Sequence, residues 1–142
     1  LLERDHRELE RWFDDYEGLT NDTDRQQVAD RICTALIIHM QIEEEILYPA
    51  ARPEFDDTSL FDEAEIEHGS VRQIISDIRG MKAGDALFNA RVIVAGEYIR
   101  HHVTEEESEM FPELRDSGLD LKMLGARMAE RRAELARLAA GG

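Results

Sequence analysis

Apolar residues recur at steps of three and four through most of the chain, the spacing of one face of an α-helix. In residues 2–18 that face is Leu2, His6, Leu9, Phe13 and Tyr16, flanked by Trp12. Gly18 and the polar run Thr20 to Asp24 end this helix and cap the next. The second helix is expected over 24–48, with Ile32, Leu36, His39, Glu43 and Leu47 facing inward. Pro49 stops it, and Pro53 with the acidic run from Glu54 to Asp57 makes a loop. A third helix is expected over 60–81, facing inward with Phe61, Ala64, His68, Val71, Ile75 and Ile78. Gly80 and Gly84 frame the turn after it. A fourth is expected over 86–111, with Phe88, Val92, Ala95, Ile99, His102, Glu106 and Glu109 or Met110 on one face; Pro112 ends it. After the turn at Asp116, Ser117 and Gly118, an Arg- and Ala-rich amphipathic helix is expected over 119–139.

Helices of these lengths, at ~1.5 Å per residue, span ~25 to 39 Å, and short connections make neighbours antiparallel. The fold expected is all-α: an up-down-up-down antiparallel four-helix bundle over residues 1–113. Residues 114–142 form a C-terminal helical extension packed on or flanking it. That extension either caps the bundle or mediates association, as a homo-oligomer or with a protein partner; the pattern does not choose.

What breaks the apolar stripes is polar and repeated. The eleven residues His39 to Pro49 and the eleven from His102 to Pro112 both read H-x-x-x-E-E-x-x-(Leu/Met)-(aromatic)-P. An acid-His pair precedes each by 33 or 34 residues: Asp5-His6 and Glu67-His68. A His and a Glu at i and i+4 lie on one helix face, one turn apart. A charged Glu on an apolar stripe is costly unless it is paired or metal-bound. Antiparallel packing brings His6, early in its helix, level with His39 and Glu43, late in theirs. The same holds for His68 with His102 and Glu106. Six side chains thus meet near one end of the core: His6, His39, Glu43, His68, His102 and Glu106. Four imidazoles and two carboxylates suit iron, manganese or zinc rather than Ca²⁺ or Mg²⁺. Six ligands cannot saturate two five- or six-coordinate ions, so positions remain for oxo, hydroxo, O₂, peroxide or NO. His102 is chosen over His101 because it shares the Phe88/Val92/Ala95/Ile99 stripe and stands ten residues before its proline, as His39 does. The repeat likewise selects Glu43 over Glu44 and Glu106 over Glu105.

Composition narrows the picture. With 9 Gly and 3 Pro the chain is poor in helix breakers. A formal charge of −15 opposes nucleic acid and anionic membrane surfaces as partners. No apolar run is long enough for a membrane span, and no signal-peptide pattern is present. The chain begins at Leu1 and not at Met, which leaves its true start open. The single cysteine, Cys33, excludes an intrachain disulfide and fits a reducing, cytoplasmic compartment. It lies in an apolar helical stretch, where it packs rather than reacts.

These residues resemble the hemerythrin-like, HHE cation-binding family over roughly residues 1–113. The pattern H…HxxxE…H…HxxxE is met by His6, His39/Glu43, His68 and His102/Glu106. The resemblance implies a non-haem di-iron centre in a four-helix bundle, with Glu43 and Glu106 bridging the irons. The oxygen-carrying hemerythrins place a fifth His one turn after the third-helix ligand, and this chain has Arg72 there. That weighs against reversible O₂ carriage and leaves Tyr98 and Glu65, each one turn before a histidine ligand, as candidates to complete the coordination. Asp5 and Glu67 point the wrong way on their helices to orient the adjacent histidines. Two readings remain open: a redox protein that turns over O₂, peroxide or NO, and a module that senses, stores or carries iron or oxygen without turnover.

Overall fold

The structure, a computed structural model, describes residues 1–141. Four long helices close a ring: α1 (Leu2–Glu17), α2 (Asp22–Ile42), α4 (Ser59–Arg79) and α5 (Phe88–Glu105). In it α1 touches α2 and α5, and α4 touches the same two. The expected all-α antiparallel bundle is therefore present. Asn21 caps α2, its side-chain oxygen accepting from the Asp24 amide at 2.8 Å, so this helix starts slightly earlier than its apolar pattern.

The two prolines do not stop their helices. After α2 the chain makes one π-helical turn, Glu43–Leu47, and continues into α3 (Tyr48–Ala51). After α5 it makes a second, Glu106–Met110, and continues into α6 (Phe111–Asp116). The Tyr48 amide reaches back to the Glu43 carbonyl, and the Phe111 amide to that of Glu106. Each proline then falls in the first turn of the following segment, where its missing N–H costs little. A π turn places residue i+5, not i+4, beneath residue i. The aromatic residues Tyr48 and Phe111 therefore come under Glu43 and Glu106, where an α-helix would put Leu47 and Met110. Such turns are frequent at functional sites.

The core has two apolar layers. The larger holds Leu9, Phe13, Leu36, Val71, Ile75, Val92 and Ile99 among others; the smaller holds Leu2, Leu47, Tyr48, Phe61, Met110 and Phe111. Along each helix the candidate ligands fall between the layers: His6 between Leu2 and Leu9, and His68 between Ala64 and Val71. Gly96 lets α5 approach α1, since a Cβ there would stand 2.9 Å from Phe13 Cδ1. Gly96→Ala gains about 1 kcal/mol of helix propensity and loses about 1–3 to overpacking. A small fall in the urea midpoint is expected.

The C-terminal helix α7 (Leu121–Gly141) packs along α2 and the π turn that follows it. Leu124 and Met128 are buried there, and Arg131 pairs with Glu45 at 2.8 Å. The last residue of the expected extension, Gly142, lies outside the described residues. Cys33 is buried, and burial pushes its thiol up to about 11, which leaves it unreactive. No helix among the described residues is long and apolar enough to cross a membrane.

Candidate metal centre

All six candidate side chains are buried at one level of the bundle. They form two histidine pairs. His6 and His39 bring their Nε2 atoms to 3.3 Å, and His68 and His102 bring theirs to 3.2 Å. The carboxylates cross between the pairs. Glu106 Oε2 lies 3.1 Å from His6 Nε2, while its Oε1 lies 3.0 Å from His102 Nε2. Glu43 Oε1 lies 3.6 Å from His39 Nε2 and 3.2 Å from His68 Nε2. Two groups able to hold a metal ion result: His6, His39 and Glu106, and Glu43, His68, His102 and Glu106.

Each imidazole turns its other nitrogen outward to a carboxylate. Nδ1 of His6 donates to Glu107 at 2.8 Å, and Nδ1 of His68 to Glu44 at 2.7 Å. Nδ1 of His39 faces Asp5 at 3.4 Å, and Nδ1 of His102 faces Glu67 at 3.6 Å. Where the hydrogen bond forms, at His6, His68 and His39, it fixes the tautomer with the Nε2 lone pair inward; His102 presents its Nε2 on the same side, 3.2 Å from that of His68. The centre is then a convergence of acceptors. Both oxygens of Glu43 and Oε2 of Glu106 lack a hydrogen-bond partner in it. Buried acceptors that face one another are stable only around cations. The spacing fits as well: nitrogens 3.2–3.3 Å apart, each about 2.1 Å from an ion, subtend about 100° there, within the range of ordinary coordination angles.

The outer carboxylates correct the sequence reading. Asp5 and Glu67 do turn away from the histidines next to them in sequence. Each instead meets a histidine of the antiparallel neighbour, His39 or His102, which a single-helix projection cannot show. Glu44, set aside in favour of Glu43, holds His68, and Glu107, to which the sequence reading gave no role, holds His6. Arginines back three of the four: Arg7 on Glu107, Arg72 on Glu44 at 2.8 Å, and Arg132 of α7 on Asp5. The candidates to complete the coordination lie outside. Tyr98 is 42% exposed, and Glu65 pairs with Arg52 at 3.0 Å on the surface. Tyr16 packs in the larger apolar layer and donates to Asn89. His101 is exposed.

Tyr48 is the residue that the sequence reading passed over. It is fully buried, and its hydroxyl donates to Glu106 Oε1 at 3.2 Å. Burial, then Glu43 and Glu106, raise its pKa well above the usual value, so the hydroxyl keeps its proton. The ring stacks near His68, as Phe111 stacks near His6. The difference between Tyr48 and Phe111 in the two repeats was the only sequence signal.

Without a cation, protons must offset the carboxylates. Burial alone would lower the His39 imidazole, but Glu43 and Asp5 outweigh it and raise it to about 10. Burial likewise opposes His102, and Glu106, Glu43 and Glu67 raise it to about 9. Burial would raise Glu43, yet His39, Glu106 and His68 hold it well below the usual carboxylate range. The linkage has a definite sign. A raised histidine stabilises the fold fully below its unfolded value of 6.5, and less as pH climbs towards 9 to 10. The Glu43 contribution is present above 4.5 and is lost as pH falls. In excess chelator, the urea midpoint should therefore be lower at about pH 8.5 than at about pH 6; the reverse order would contradict the assigned contacts.

Comparison with known proteins agrees with this architecture. A crystal structure of a hemerythrin HHE cation-binding domain-containing protein from Mycobacterium kansasii superposes with a TM-score of 0.73. The match covers 94% of this chain and 85% of that one at 23% identity, and so shows the fold. A DNA nickase from Nostoc sp. (strain PCC 7120 / SAG 25.82 / UTEX 2576) is 25% identical over 120 residues. Those residues are 82% of this chain and 33% of the nickase, so the chain spans about a third of that relative's length. Residues 1–114 match the Hemerythrin HHE cation binding domain, and the chain belongs to that family.

Proposed function

We propose that the centre holds two iron ions, with manganese or zinc as alternatives, and that it binds or reacts with O₂, peroxide or NO. One ion would take His6 and His39, the other His68 and His102, with Glu43 and Glu106 bridging them. The carrying observation is the crossed pattern, in which each carboxylate touches one histidine of each pair. Two histidines and two carboxylate oxygens per ion leave positions for a small ligand. Bound iron would supply the redox chemistry and the affinity for such ligands.

The chain's own residues have defined parts. Glu44, Glu107 and Asp5 orient the imidazoles of His68, His6 and His39. Tyr48 keeps a proton beside Glu106. The apolar layers on both sides exclude water. Arg72, where an oxygen carrier would have a fifth His, instead braces Glu44, which supports reaction or sensing over reversible carriage.

The second reading, sensing or storage without turnover, is favoured by α7. Arg132 pairs with Asp5, which faces His39, so the C-terminal helix is tied to one ligand of the centre. The nickase activity is named for the longer relative, and a formal charge of −15 on this chain opposes a phosphate backbone as partner.

The deciding experiment is metal analysis of the purified protein with its visible spectrum in reduced, oxidised and peroxide-treated states. Two irons per chain and a visible band that changes on oxidation are expected. Consumption of peroxide, O₂ or NO would select the reactive reading; a reversible spectral change without consumption would select the sensor. Absence of bound metal would sink both.

A further inference from the structure

The four outer carboxylates are not equivalent. Glu107, Glu44 and Asp5 each carry an arginine. Glu67 carries none among the described residues. On its side of the bundle stand Glu105 and His101, one turn apart on α5, with His101 Nε2 2.9 Å from Glu105 Oε1. Ligand atoms of Glu67, His101 and Glu105 all lie within 4.8 Å of one another. The nearby arginine on α5, Arg100, is engaged by Asp14 at 2.9 Å. Where three positions have carboxylate against guanidinium, the fourth has carboxylate against carboxylate and imidazole. Glu67 and Glu105 are like charges that repel, and His101 is the partner of Glu105 there.

A second observation points the same way. His102 is 5% exposed, and its Nδ1 has no hydrogen-bond partner. It is aimed at Glu67, 3.6 Å away and beyond hydrogen-bond reach. A crevice of about 10 Å³, room for about one water, runs between these groups; Glu67, Glu105, His102 and the buried Glu106 line it. Two members of the cluster, Glu67 and Glu105, thus share this one-water crevice with Glu106 of the buried centre.

We infer that Glu67, His101 and Glu105 form a third, surface cation site, which takes a divalent transition-metal ion and is the entrance to the buried centre. Two carboxylates and one imidazole suit the same borderline ions as the centre itself. Three ligands at an exposed position make it the weaker site, as a point of capture requires. Its role as entrance rests on the di-metal reading; its existence as a site does not.

The test uses the metal-stripped full chain and Co²⁺, with calorimetry for the number of ions and visible absorption for the filling of the buried pair. The variant is His101→Ala with Glu105→Gln, both exposed enough to leave the fold intact. Glu97→Gln, exposed on the same helix, controls for lost charge. Wild type and the control should bind two ions tightly and a third weakly. The double variant should lose the third and fill the pair about tenfold more slowly, the lower end of what electrostatic capture supplies. An unchanged number of ions in the double variant would overturn the site. A lost third ion with an unchanged filling rate would overturn its role as entrance. A weak ion in wild type with no tight pair would refute the buried centre and leave the surface site standing.

Discussion

With two ions held as proposed, removing the metal should lower the melting temperature of this protein by about 10 to 20 °C. Ions that bind only the folded state each contribute about 4 kcal/mol when present at a thousand times their dissociation constant. For a chain of 142 residues each kcal/mol moves the midpoint by about 2–5 °C, between the values for smaller and larger domains. Two ions at this level give a shift of about 16 to 40 °C, and partial repayment by protons brings it down. The repayment is physical: His39 and His102 are raised to about 10 and about 9, so near neutral pH the metal-free centre holds protons where the ions would be. It is incomplete, because a proton on an imidazole satisfies one carboxylate oxygen, while Glu43 and Glu106 present oxygens to both histidine pairs. Scanning calorimetry of the loaded protein with and without chelator measures the difference. A shift under about 2 °C would mean that ions contribute little to this fold.

The bundle and the six central residues were legible in the sequence because they obey one rule. His6, His39, His68 and His102 each fall on a stripe with period 3.6, and each is buried. The same phase separated Glu43 from Glu44 and Glu106 from Glu105, and in both cases the chosen residue is the buried one. What stayed hidden does not obey that rule. The π turns add a residue per turn where the two buried carboxylates, Glu43 and Glu106, sit, so an α-helical projection put Leu47 rather than Tyr48 beneath Glu43. Pro49 and Pro112 read as stops because a proline is incompatible with an α-helix interior, whereas a π turn before it removes the conflict. The outer carboxylates were missed for another reason. The position of Asp5 on α1 fixes its direction from its own axis, but its nearness to His39 depends on the distance and rotation of α2. Tyr98 and Glu65 show the converse: a spacing of one turn from a ligand is not enough when the intervening rotation carries the side chain to the surface.

On the proposed two-ion reading, Glu106→Gln should weaken both metal positions, whereas His39→Ala should weaken mainly one. The distinction follows from reach. His39 Nε2 meets only His6 Nε2 and Glu43 within the centre. Glu106 reaches His6 through Oε2 and His102 through Oε1. Glutamine has nearly the same shape, so the helix and the π turn persist. It presents one neutral oxygen and an amide whose N–H groups repel a cation, so the bridge and its charge are lost together. Disturbing groups that merely orient a ligand already costs about 10- to 100-fold in metal affinity. Loss of a bridging carboxylate should therefore cost at least about 100-fold at each ion. After gel filtration, Glu106→Gln should retain neither ion and His39→Ala should retain one. Glu105→Gln, one residue away and facing outward, should still fill the pair at equilibrium. This last comparison separates loss of a ligand from loss of a surface charge. If Glu106→Gln kept one ion as firmly as His39→Ala does, Glu106 would serve a single position and the bridged arrangement would fail. Equal retention in Glu106→Gln and Glu105→Gln would remove Glu106 from the centre altogether.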